Sequence, residues 1–204
     1  MSETTSTRDL LLEAAISIIE TEGESHIRVD RVVEAAGFTK PVLYHHFADR
    51  DDLIVAAQTE RYSRALRTGL EQVARAVSLC GTQEEFLDLM RDWITSFGTP
   101  AGVERRKIRI EVLGSAVSRP RLHESVIEAD REVQDQVADL LGVAKARGWL
   151  KADFPVGELS VWFFGLVLGR HLAESDTARG EIKVWDQITE FVFMSMILGV
   201  HPSS

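Results

Sequence analysis

The chain has 204 residues, 45% hydrophobic and 27% charged, with a formal net charge of −9. That suffices for one ordinary domain, or a small module on a larger one, with a real core and a soluble surface. It excludes a protein that coats nucleic acid through bulk positive charge, while leaving room for a local contact surface.

A single cysteine, Cys80, rules out an internal disulfide and suits a reducing compartment. The first ten residues are polar. The longest apolar runs, Val161–Gly169 and Phe191–Val200, fall far short of the roughly 20 residues that span a bilayer. A cytoplasmic protein is expected.

Read in chain order, the periodicity is helical almost throughout, with only five prolines. Leu11, Ala15, Ile18 and Ile19 predict a first helix that starts at Ser6/Thr7 and stops at Gly23. Val29, Val32, Val33 and Ala36 predict a short second helix, broken by Gly37. Thr39 as N-cap and Pro41 in a first turn open a third, with Leu43 and Phe47 on its inner face. Asp49 caps a fourth helix, which Leu53, Ala57, Leu66, Leu70, Val73 and Val77 carry to about Leu79. Further helices are expected over Glu84–Phe97, Val103–Val117, Arg121–Arg147, Pro155–Glu174 and Glu181–Val200, with Trp149–Phe154 as a loop. The fold class is therefore all-α, about nine helices.

Helices two and three are short and meet at the turn "AAGFT". That arrangement matches a helix-turn-helix over about 28–47, whose second helix enters the major groove of DNA. With Leu43 and Phe47 inward, Thr39, Lys40, Pro41, Tyr44 and His45 fall on or near the outer face. Thr39 and Lys40 sit at a helix N-terminus, which attracts phosphate. Lys40 suits a phosphate or a guanine edge, the Tyr44 hydroxyl a phosphate, and Pro41 a thymine methyl. From Arg28 to Arg50, four cations (Arg28, Arg31, Lys40, Arg50) meet three carboxylates (Asp30, Glu34, Asp49), so this stretch is less acidic than the chain as a whole. His45 and His46 are adjacent. On a helix they point about 100° apart, the wrong spacing for a shared metal, so no metal site is expected.

The motif "TRDLLLEAAISIIETEG…VDRVVEAAGFTKPVLYHHFADRDDL" resembles the N-terminal domain of the tetracycline-repressor (TetR) family of transcriptional regulators. The resemblance rests on Arg8, Leu11-Leu12, Ala14-Ala15, Gly23, Ala36-Gly37, Thr39, Leu43-Tyr44, Phe47 and Leu53. It implies a DNA-binding domain over 1–50 and a divergent helical domain over 51–204 that dimerises and binds a small molecule. It also implies a near-palindromic double-stranded operator bound by a homodimer, and a repressor released by its effector. Arg28 stands where the family usually has a phosphate-touching Thr or Ser, and Arg50 where it favours Lys; both keep a phosphate contact in reach.

In the C-terminal part, Phe86, Met90, Trp93 and Phe97 form one helical stripe that reads as core or as the wall of a ligand cavity. Arg109 and His123 are candidate polar anchors and Trp162 a further wall, so an apolar or aromatic effector is expected. Gly165, Gly169 and Ala173 recur every four residues, and each helical glycine costs about 1 kcal/mol against alanine. Together with the apolar run holding Phe191 and Met194, this stripe points to a four-helix dimer interface built from the last two helices and their copies. The alternative is a helical small-molecule-binding or enzyme module without a DNA role. No paired carboxylates, Gly-rich phosphate loop, zinc spacing, nucleophile motif or cofactor signature supports catalysis.

Overall fold

The computed structural model describes residues 6–68, 70–151, 153–175 and 182–198. Among these it contains ten α-helices, one short 3-10 turn and no strand.

Helix α1 spans Thr7–Glu22. Ser6 caps it by accepting a hydrogen bond from the Asp9 amide, and the Asp9 carboxylate accepts one from the Ser6 amide in return. Gly23 ends it with φ 94°, and a 3-10 turn, Glu24–His26, follows. Helices α2 (Val29–Ala36) and α3 (Lys40–His46) enclose the expected turn. Gly37 sits at φ 73°, ψ 29°. Its amide donates to the Glu34 carbonyl, and the Phe38 amide reaches back to the Val33 carbonyl at 2.8 Å. This paired closure is a Schellman motif.

The helix expected from Asp49 to Leu79 is two helices, α4 (Arg50–Arg67) and α5 (Leu70–Leu79), separated at Thr68. The sequence there reads Thr68-Gly69, two weak helix formers in succession, and the continuous apolar spacing conceals them. Then come α6 (Gln83–Ser96), α7 (Pro100–Ala116), α8 (Pro120–Ala146), α9 (Val156–Ser175) and α10 (Ile182–Leu198). Both α7 and α8 start on a proline, where the missing N–H has no helical partner to lose. Gly199 and Val200, at the end of the expected last helix, lie outside the described residues.

The residues form two compact units. One comprises Met1–Arg64 with Val112–Ile127, the other Ala65–Glu111 with Glu128–Ser204. By packing, then, the first unit runs past residue 50 and takes in a second, distant stretch. Its core gathers Leu11, Ala15, Val32, Leu43, Phe47 and Leu53, all nearly fully buried. In the second unit Phe163 is central. Its ring lies 4.9 Å from Trp93, 5.6 Å from Phe97 and 5.4 Å from Phe193, at distances typical of favourable aromatic pairs.

Candidate nucleic-acid interface and cavity

The first unit holds α3 by one side only. Leu43 is fully buried and Phe47 nearly so, while Thr39, Lys40, Pro41, Tyr44 and His45 are exposed. Thr39 occupies the N-cap position of α3 without using its side chain as a cap. Its hydroxyl makes no intrahelical bond there. Tyr44 is 51% exposed although it is a large aromatic residue in a motif that otherwise buries its apolar groups.

Lys40 Nζ lies 2.7 Å from Asp30 Oδ1 on the facing turn of α2. The hydrogen bond to Asp30, and then its negative charge, raise the ammonium pKa above its usual value, so Lys40 stays cationic. Arg28 is exposed at the N-cap of α2 and makes no side-chain cap bond. Arg50 is exposed too, yet its Nε donates to the Ile27 carbonyl at 2.7 Å, tying the start of α4 to the segment that leads into α2. His45 and His46 meet edge to face, with ring centroids 5.1 Å apart. No group of three His, Cys, Asp or Glu side chains able to hold a metal occurs among the described residues. Arg8 lies with its guanidinium 5.1 Å from the centre of the Phe47 ring, a cation–π contact beside the end of α3.

Residues 11–57 match the family model described as bacterial regulatory proteins, tetR family. This segment is the family's DNA-binding domain, and the chain that carries it is a DNA-binding transcriptional regulator. It is 28% identical over 167 residues, 73% of this chain and 74% of the relative, to the HTH-type transcriptional activator FasR of Mycolicibacterium smegmatis. To the HTH-type transcriptional repressor AcnR of Corynebacterium glutamicum it is 23% identical over 186 residues, 90% and 91% of the two chains. In fold it resembles a TetR-family transcriptional regulator from Rhodococcus sp., with TM-score 0.64 and 23% identity over 94% of this chain and 98% of the other. These relatives are regulators, so the enzyme alternative is not favoured. No helix among the described residues is long and apolar enough to cross a membrane.

The second unit contains a cavity of about 590 Å³. Of the residues expected to line it, Trp93, Phe97 and Arg109 do. Phe86 and Met90 do not; both are fully buried in the core, on the side of α6 turned away from the cavity wall, and Phe86 packs on Trp149 with centroids 5.7 Å apart. His123 is exposed and belongs to the first unit, and Trp162 is 42% exposed away from the cavity. The reading of the sequence missed Arg105 and Arg106, which also line it. A signal existed: Gly102, Arg106, Arg109, Val112 and Ala116 share one buried face of α7. Two arginines on a stripe of otherwise small and apolar residues mark a buried ionic site. Arg106, only 1% exposed, donates through Nε to Glu174 at 2.9 Å and through Nη2 to the Phe97 carbonyl at 3.2 Å. Arg170 binds Asp186 through two parallel 2.8 Å bonds and also meets Glu174.

The proposed dimer residues separate. A Cβ at Gly169 would stand in ordinary contact with the Trp185 ring, at 3.5 Å, so this face of α9 lies against α10 of the same chain. Met194 is buried within the unit as well, and Ala173 is half-buried. Gly165 faces open space, and Phe191 is 66% exposed.

Proposed function

We propose that this TetR-family regulator is a cytoplasmic homodimeric repressor that binds a near-palindromic operator and is released by a small molecule. Residues 1–50 contact DNA through Thr39, Lys40, Pro41, Tyr44 and His45, with Arg28 and Arg50 on flanking phosphates. Residues 51–204 bind the effector and dimerise. The observation that carries this reading is the one-sided burial of α3: Leu43 and Phe47 anchor it, and five polar or contact-forming side chains stand on its exposed side. Two such helices reach successive major grooves about 34–36 Å apart. The effector acts only if it binds the released state more tightly than the DNA-bound one.

Dimerisation through α9 and α10 is supported by apolar groups left at the surface. Val184, Ile188 and Phe191 are more than half exposed at i, i+4 and i+7, and Val161 and Leu172 are exposed on α9.

The test is a gel shift with the DNA upstream of the protein's own gene, at two salt concentrations. Lys40→Ala with Tyr44→Ala is expected to weaken binding by about tenfold or more, and loss of the Lys40 charge to flatten the salt slope by about one. Thermal stability should hold, because both side chains are exposed. Unchanged affinity and slope would remove α3 from the DNA interface.

A further inference from the structure

The cavity in the second unit has mostly apolar walls, including Leu66, Val73, Trp93, Phe163, Phe164 and Val167, and a cationic edge supplied by one helix. Arg105, Arg106 and Arg109 all project from α7. Their charges are compensated unequally. Arg106 is held by Glu174, and Arg109 has Asp130 at 3.8 Å and the face of the Phe164 ring at 5.2 Å. Arg105 is half-buried, and its guanidinium makes no ion pair or hydrogen bond among the described residues. Burial, and then the charge of Arg106, depress its pKa from the usual value, as expected for a cation that no anion offsets. Asp92, the one carboxylate among the described lining residues, is exposed to water and makes no ion pair with Arg105.

The second observation lies deeper. Nη1 of Arg106 is buried, and no acceptor among the described residues meets it. A buried donor without an acceptor costs free energy, and a charged one more. An unmatched cation beside an unmatched donor, on the wall of an apolar cavity, calls for one negative charge carrying acceptor oxygens. A guanidinium fork matches a carboxylate in both shape and charge.

We propose that the cavity takes an amphipathic monoanion: one carboxylate, held by Arg105 and Arg106, on an apolar chain or ring that lies against the aromatic wall. The proposal rests on the effector reading of this domain and names the class of molecule it senses. One carboxylate, rather than a more highly charged head, follows from the charge balance, since a single arginine is left uncompensated.

The experiment titrates the full-length protein by calorimetry with decanoate, decanol and decylamine, and with 2-naphthoate and 2-naphthol, all below micellar concentrations. At least one carboxylate is expected to bind about tenfold or more tightly than its matched alcohol, the scale of a charge-assisted hydrogen bond, with the amine weakest. Arg105→Gln should cost the carboxylate about tenfold and leave the alcohol unchanged. Arg105 is only half-buried and pairs with no group among the described residues, so this variant should fold, which circular dichroism checks. Arg106→Lys, which keeps the charge and removes the fork, should also weaken the carboxylate. The proposal is overturned if neither carboxylate binds, if an alcohol or the amine binds as tightly, or if Arg105→Gln leaves carboxylate affinity unchanged. Parallel gel shifts keep the two readings apart. Failure of all five compounds with operator binding intact defeats the ligand class alone. A wild-type protein that binds a carboxylate but not its upstream DNA defeats the repressor reading alone.

Discussion

Glu24 shows how much a single side chain does in the first unit. It accepts hydrogen bonds from Gln58 Nε2 at 2.7 Å and Ser115 Oγ at 2.8 Å, and pairs with Arg119 at 2.5 Å; Arg119 in turn reaches Asp51 at 3.3 Å. Burial pushes the Glu24 carboxyl up, but the hydrogen bonds from Gln58, Ser115 and Arg119 outweigh it and hold the pKa below its ordinary value of 4.5. A depressed folded pKa means that the stabilisation is fully present above about pH 4.5 and is lost as pH falls through the folded value. Glu24→Gln is therefore expected to cost about 1–3 kcal/mol at neutral pH. It should also flatten the dependence of melting temperature on pH below 4.5, measured by thermal melts between pH 3 and 7. None of this was legible in the sequence, because the partners lie 34 and 91 positions away. By contrast Lys40, Tyr44 and their buried neighbours Leu43 and Phe47 were legible, since their sides of α3 follow from spacing within one turn of chain.

Elements whose boundaries are set by local chemistry read correctly. Ser6 and Gly23 bound α1, Gly37 ends α2, and Thr39 precedes α3, each through groups within a few residues of the boundary. The break between α4 and α5 did not read, because apolar periodicity persisted across Thr68 and outweighed the weak propensities there. Of the cationic edge on α7 only Arg109 read; Arg105 and Arg106 sit among charged neighbours in "VERRKIRI", and only burial separates Arg106 from solvent-facing Lys107. The left-handed conformation of Gly37 permits a sharp test at this scale. A Cβ there would meet nothing within 4 Å, so Gly37→Ala carries only the backbone penalty of about 1–2 kcal/mol. Urea melts should show a lowered midpoint with an unchanged slope.

At the scale of the whole molecule, the exposed apolar residues of α10 have to be covered if the protein is to stay dispersed. Single apolar residues at a surface are ordinary, but three at helical spacing form a stripe along α10, and α9 leaves Val161 and Leu172 exposed as well. Replacing both Ile188 and Phe191 by Asp is expected to turn a dimer into a monomer by light scattering, with helical content retained, because neither side chain is part of its own unit's core. A variant that remains dimeric at micromolar concentration would place the interface elsewhere. The dimer stripe drawn from glycines was less informative than this pattern. A small residue in sequence signals close packing without saying whether the neighbour is the same chain, as for Gly169 and Trp185, or none, as for Gly165.

The division of the chain into units has a consequence for how such regulators diversify. The chain leaves the first unit after Arg64, returns at Val112 and leaves again after Ile127. A DNA-reading head grafted as one contiguous N-terminal block would arrive without Ser115 and Arg119, and Glu24 and Asp51 would be stranded without their cation. Exchange of operator specificity by recombination therefore demands a second, separate segment carried along with the first. On the proposed reading, point substitutions on the outer face of α3 face no such demand, and they are the cheaper evolutionary route to a new operator.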